Sequence, residues 1–408
     1  MKTLGIIAEF NPFHNGHKYL IERGKEITGA DNVIVICSGN FVQRGAPAIY
    51  DKYTRAKAAL SNGADVVFEL PVFYATASAE LFAQAAVSFL NQLNCVDYLC
   101  FGCEAENMKA LPQISKILHE EPPYFKAALK YYLGKGLSFP KARVQALQYY
   151  CKKNNILDSF SIDNVMSGSN NILALEYLKA LRQFHSTIKP VAIRRQGAAY
   201  TSLETETDYA SSTAIRNAVM NSFADKVANH IPRNCQRTLE ESIPVFPQDL
   251  DLLLGQRLLS TDHFSDIYGI SEELSNRISN TKNEYVSFES YAHLLQSKNY
   301  TYATISRALL HICLDIRKED VEQFIAKDYH FYLKILAFKR NTNVLKQIKE
   351  NSSLPFIGKL SDFYNESTGL TKQMLSKCIS CDHLYRLIQM NHQAEYIPTE
   401  FEQKMVIE

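Results

Sequence analysis

Short apolar runs alternate with stretches of helical periodicity along the first 220 residues. Residues 4–8 are apolar, then come Asn11-Pro12 and a helical pattern over 14–28 with Tyr19, Leu20 and Ile27 among its apolar positions. Residues 32–38 (NVIVICS) are apolar and β-branched almost throughout, which predicts a strand buried on both faces, as in a parallel sheet. A loop bounded by Gly39 and Gly45 follows, at the place where open α/β sheets bind ligands. Residues 51–61 predict a helix stopped at Asn62-Gly63, and 65–70 a strand closed by Pro71. An Ala- and Phe-rich helix over 78–91 leads to a strand over 97–102 that ends on Gly102. Residues 106–154 predict several helices, broken at Pro122-Pro123 and Gly134-Lys135-Gly136. A helix over 169–181 opens on Asn170-Asn171, and the last strand spans 190–195.

Strands alternating with helices predict an α/β fold, a Rossmann-like doubly wound parallel sheet, over residues 1–225. Prolines at 232, 244 and 247 mark a connecting segment, 226–248. From 249 to 408 the pattern is helical and leucine-rich and predicts a helical domain without strands.

Composition narrows the function classes. The 408 residues are 46% hydrophobic and 21% charged, ordinary for a globular protein. Residues 1–225 carry 23 Lys+Arg against 20 Asp+Glu, and 226–408 carry 21 against 23, so an anionic polymer must bind through local patches. Met1-Lys2-Thr3-Leu4 runs straight into a strand, with neither a signal peptide nor an apolar run approaching about 18 residues, which predicts a cytoplasmic protein away from the membrane. Nine scattered cysteines fit free thiols. Cys100 with Cys103, and Cys378 with Cys381 and His383, each lack a second well-spaced pair, so no metal site is expected.

Two stretches carry chemistry. His14-Asn15-Gly16-His17 directly follows the first strand, and its spacing puts both imidazoles on one helix face. Gly16 allows close approach to the backbone, and the helix tip offers N–H groups to phosphate. Two imidazoles there, neutral or cationic, can stabilise charge as pyrophosphate leaves the α-phosphate of ATP. Far along the chain, residues 208–216 (DYASSTAIR) set hydroxyl caps Ser211, Ser212 and Thr213 before a helix, with Arg216 one turn on. This second tip suits the β- and γ-phosphates of the same nucleotide.

Together the two motifs resemble the signatures of the nucleotidyltransferase superfamily. The wider pattern is similar to the bacterial tRNA(Met) cytidine acetate ligase family: residues 5–17, 38–47, 63–71, Phe101-Gly102, 169–181 and 210–216. The resemblance implies a nucleotidyltransferase-type sheet that activates acetate with ATP, giving acetyl-adenylate and pyrophosphate. The acetyl group then passes to N4 of the wobble cytidine of elongator tRNA(Met), which must leave its stack to react. It implies ATP as substrate with Mg²⁺, and a nucleotide loop over Ile7, Ala8, Glu9, Phe10, Asn11, Pro12, Phe13, His14, Asn15, Gly16, His17, Lys18, Tyr19 and Leu20. His14 and His17 are the phosphate ligands, and Gly102, Asn170 and Arg195 match further ATP positions, with Asn171 and Arg194 as neighbours one place away.

Sheet topology makes Asn40, Gln43 and Arg44 candidates for the acetate or base end. Residues 297–307, with Lys298 and Arg307, mix basic and aromatic residues and resemble the family's tRNA-facing segment, though Thr304 stands where the family more often has Arg or Lys. Lys339-Arg340 form a second basic group. Two other readings remain open: a small-molecule adenylyltransferase of the phosphopantetheine or nicotinamide mononucleotide type, and an RNA-binding module with a vestigial nucleotide site. A helical part of this length favours the tRNA enzyme over the first, and the intact His14, His17, Ser212 and Arg216 oppose the second.

Overall fold

The computed structural model describes residues 1–195, 210–222 and 224–408. Asp208 and Tyr209, at the start of the second motif, lie outside the described residues.

Seven strands form one sheet: β1 (Thr3–Ala8), β2 (Asn32–Ser38), β3 (Val66–Leu70), β4 (Tyr98–Cys103), β5 (Lys189–Arg194), β6 (Ile335–Phe338) and β7 (Val406–Ile407). Their order across the sheet is β5-β4-β1-β2-β3-β6-β7, and the first five are all parallel. The helices that matter below are α1 (Asn15–Thr28), α2 (Lys52–Leu60), α3 (Ala79–Gln92), α4 (Pro123–Gly134), α5 (Phe139–Asn154), α6 (Ser169–Gln183), α7 (Ser212–Met220), α8 (Tyr302–Leu314) and α9 (Gly369–Gln393). The doubly wound reading holds. Every residue of β2 is buried, as its unbroken apolar run predicts, because helices cover both sheet faces. Strand order reverses beside β1, between β2 and β4, so a crevice opens at the carboxyl ends of β1 and β4.

The expectation of no strand beyond residue 248 is corrected. β6 pairs antiparallel with β3, and β7 pairs with β6, so the C-terminal half, mostly helical, extends the sheet. A four-residue apolar run, ILAF, has no period of its own and cannot be told from a buried helical turn until its partner is known.

Five charged side chains join the two halves inside the protein. The Lys52 ammonium, fully buried at the start of α2, lies 2.9 Å from Glu69 of β3, 2.5 Å from Asp382 of α9 and 2.7 Å from Glu400. Lys334 meets Glu69 at 2.7 Å and Glu400 at 2.6 Å. Glu69, Asp382 and Glu400 are the only cluster of metal-ligating groups among the described residues, and two ammonium groups already neutralise it. The cysteine groups hold no cluster of that kind among the described residues. Cys100, Cys103, Cys378 and Cys381 are buried thiols, and burial pushes Cys100 and Cys378 up to about 12.

Candidate active site

The loop from β1 into α1 has tightly determined geometry. Phe10 takes the left-handed backbone conformation (φ 47°), unusual for a bulky residue, and its ring packs edge-on against Phe13 and His17 at 4.9 Å. Arg55, fully buried, grips the end of β1 through Nη1 to the Glu9 carbonyl at 2.5 Å and Nε to the Tyr50 carbonyl at 2.9 Å.

His14 is the N-cap of α1. Its Nδ1 accepts the Gly16 N–H at 3.0 Å, and its own N–H donates to Nδ1 of His17 at 3.3 Å. Each Nδ1 therefore acts as an acceptor, which leaves each neutral ring's proton on Nε2. The two rings stack with centroids 3.8 Å apart. Burial, then the neighbouring His17 and Arg195, hold His14 far below the ordinary histidine range. Burial and Arg195 bring His17 down to about 3. Both shifts favour the neutral ring, and with these Nδ1 contacts a neutral ring carries its proton on Nε2.

The second motif meets the first. His14 Nε2 lies 3.0 Å from Ser212 Oγ at the tip of α7. Arg216 Nη1 donates to the Asn11 carbonyl at 2.6 Å and Nη2 to Thr213 Oγ1 at 3.1 Å, so one guanidinium ties both stretches together. Ser211 is fully buried and caps α7, its Oγ accepting the Ala214 N–H at 3.0 Å.

Around this junction a cleft is lined by Ile7, Ala8, Glu9, Phe10, Asn11, His14, Gly16, His17, Tyr19, Leu20, Gly102, Asn170, Arg195, Ser212 and Arg216, all named from the sequence. Pro12, Phe13, Asn15, Lys18, Ser211 and Thr213 do not line it. Lys18 points to Glu22 at 3.8 Å, and Asn15 donates to the Asn229 carbonyl at 2.8 Å. Asn170 faces the cleft, whereas Asn171 is spent internally, accepting the Glu104 and Ala105 N–H groups at 2.7 and 3.0 Å. Arg194 and Arg195 both reach the cleft.

Phe82, Phe101, Leu173, Tyr177, Ile193 and Ala210 also line the wall and are not among the site residues named from the sequence. Asn170, Leu173 and Tyr177 follow one another at i, i+3 and i+7, a helical stripe that could have flagged the last two. Glu9 is the only acid on the wall among the described residues. Its Oε1 accepts the Gln43 N–H at 2.7 Å, and burial raises its carboxyl above the ordinary range despite Arg44, Arg216 and Arg55.

Of the substrate candidates, Gln43 lines the cleft and Arg44 adds positive potential at Glu9. Asn40 does not reach it. Its side chain accepts the Lys52 N–H and donates to Asp382, each at 2.9 Å, because the loop folds Asn40 inward onto the buried ions. The basic groups separate as well. Lys339 follows β6, whose antiparallel course puts its N–H on the Asp65 carbonyl at 2.9 Å, and Arg340 binds the Glu408 carbonyl at 2.7 Å. Both stand at the amino ends of the parallel strands, the sheet edge opposite the cleft. Arg307, half-buried on α8, has its backbone packed against Gly45, and Lys298 donates to the Gly136 carbonyl in the turn between α4 and α5.

The arrangement can align an anionic oxygen with a phosphorus atom and neutralise charge on a departing phosphate, through fixed N–H donors and arginines. Comparison with known proteins agrees. The HIGH Nucleotidyl Transferase family model matches residues 1–398. The tRNA(Met) cytidine acetate ligase of Thermoanaerobacter sp. (strain X514) is 39% identical over 397 residues, 96% of either chain. That of Acetivibrio thermocellus is 38% identical over 419 residues and covers both chains fully. The apo crystal structure of Thermotoga maritima TmcAL superposes with a TM-score of 0.92 at 30% identity, over 100% of this chain and 99% of that one. The same protein bound with alpha-thio ATP superposes at 0.90 and 31%, with the same coverage. Sheet, cleft and sequence thus agree that the chain belongs to the HIGH nucleotidyl transferases, and within them to the tRNA(Met) cytidine acetate ligase family.

Proposed function

We propose that this protein activates acetate with ATP and transfers the acetyl group to N4 of the wobble cytidine of elongator tRNA(Met), in the cytoplasm. The observation that carries the reading is the convergence of His14, His17, Ser212 and Arg216 on one cleft at the point where strand order reverses. In the first step an acetate oxygen attacks the α-phosphorus and the bond to pyrophosphate breaks. The Nε2–H group of His17, the Ser212 hydroxyl held by Nε2–H of His14, the tip of α7 and the arginines Arg195 and Arg216 bear the triphosphate charge. Gln43 and Arg44 stand at the acetate and base end. In the second step the cytosine amine attacks the acetyl carbonyl, its proton passes to Glu9, and AMP leaves. Glu9 suits this because it lines the cleft and burial raises its carboxyl above the ordinary range, against the pull of Arg44, Arg216 and Arg55. Mg²⁺ fits only as an ion carried by the phosphates and water, since Glu9 is the single carboxylate on the wall among the described residues.

The test is mass spectrometry of nucleosides from tRNA incubated with the protein, ATP and labelled acetate. Labelled N4-acetylcytidine is the expected product. ATP–pyrophosphate exchange driven by phosphopantetheine or nicotinamide mononucleotide, and not by acetate, would overturn the reading.

A further inference from the structure

Residues 122–157 hold seven basic residues and no acidic one, in a chain whose net charge is +1. They fold as the antiparallel pair α4 and α5. Lys130, Lys135, Lys141, Lys152 and Lys153 are exposed and make no ion pair among the described residues. Aromatic rings stand among them: Tyr131 is 59% exposed, Phe139 55% and Tyr149 48%. Lys153 sits 3.5 Å over the Tyr124 ring, and Lys135 lies 5.5 Å from that of Tyr131. A groove runs between the two helices and the start of α6, lined by Tyr131, Lys135, Lys141 and Ile172 among others. Ile172 faces this groove while Asn170 and Leu173 face the nucleotide cleft, so the groove and the cleft lie on different faces of the same turn of α6. Lys298 reaches the same turn from the other half of the protein through the Gly136 carbonyl.

We infer that the α4–α5 groove binds single-stranded RNA, taking the nucleotides next to the target cytidine while that base enters the cleft. Lys135 and Lys141 on its wall, with Lys130 next to Tyr131 in the chain, meet phosphates, and Tyr131 on the wall, with Phe139 next to Pro140, offers faces for unpaired bases, the combination that holds single strands. A second copy of the chain fits poorly, because a two-fold contact would set this basic surface against itself. The inference rests on the function proposed above.

The experiment measures binding of an anticodon stem-loop RNA across a salt series, with ATP–pyrophosphate exchange followed without RNA. Lys130→Ala, Lys135→Ala and Lys141→Ala combined should raise Kd at least tenfold and flatten the salt slope by about 2, at roughly 0.7 for each phosphate that no longer meets a lysine. Tyr131→Ala should weaken binding several-fold and Tyr131→Phe should restore it. Acetate-dependent exchange should stay at the wild-type rate in all of them. Unchanged Kd and slope in a protein that still acetylates tRNA would overturn the groove alone. Failure of the wild-type protein to modify tRNA would overturn the proposed function and this inference with it. A change of sedimentation in the triple variant with unchanged RNA affinity would assign the surface to self-association instead.

Discussion

His14 and Ser212 stand 198 positions apart in the chain, and their side chains meet at 3.0 Å. The contact joins the tips of α1 and α7, so two helix N-termini face one space. His14→Ala and Ser212→Ala should therefore be non-additive. We expect His17→Ala to lower acetate-dependent exchange about 10²–10³-fold, the usual loss for one donor to a developing anion. We expect His14→Ala combined with Ser212→Ala to cost less than the sum of the single losses. Strictly additive losses in a double-mutant cycle would show that the pair does not act as a unit.

The protonation of the histidines makes exchange insensitive to mild acid. His17 titrates only at about 3 and His14 lies well below the ordinary value, so both remain neutral donors as pH falls from 8 to 5. The exchange rate should lack an inflection near pH 6.5. An inflection there that His17→Gln abolishes would mean cationic imidazoles do the work.

Glu9 predicts the opposite behaviour for transfer to tRNA. A base acts only when deprotonated, and burial raises this carboxyl. The single-turnover transfer rate should fall as pH drops through a value above the ordinary carboxylate range. Glu9→Gln should lower the plateau about 10²-fold or more and remove that limb, with acetate-dependent exchange reduced far less. A pH profile unchanged by the substitution would exclude the role.

The buried ions predict a stability effect remote from chemistry. Lys52→Met leaves Glu69, Asp382 and Glu400 with one ammonium in place of two. Breaking such a cluster costs about 3–5 kcal/mol, read as a lower midpoint in urea. Adding Asp382→Asn should recover part of the loss by removing an uncompensated charge. No change in midpoint for Lys52→Met would contradict the structure.

His330 predicts acid sensitivity of the fold. Its Nε2 donates to the Ala85 carbonyl at 2.7 Å, its buried Nδ1 has no partner among the described residues, and burial lowers the ring to about 4. The unfolded chain, near 6.5, binds the proton first, so this contribution is intact above pH 6.5 and is lost as pH falls toward 4. The loss is at most about 1.4 kcal/mol per pH unit. His330→Phe should flatten the dependence of Tm on pH across that window. An equally steep dependence in the variant would point to other groups.

Local pattern carried much of this protein. The β-branched run of β2, the caps of α1 and α7 at the cleft and the His-x-Gly-His spacing all depend on neighbours within a few residues. Such neighbours are visible in a linear chain, and the resemblance to a family drew on the same motifs. What the chain order could not reveal depends on partners from about a dozen to several hundred residues away. Ile335–Phe338 becomes a strand only because β3 offers it an open edge, and the antiparallel pairing carries Lys339 and Arg340 away from the cleft. Asn40 turns inward because Lys52 and Asp382 await it there. Arg55 holds Glu9 in place with no motif to announce it. Composition places charge along a sequence, but the direction of a strand and the burial of an ion are set by long-range packing, and packing decides which basic residues stand near the cleft and which far from it.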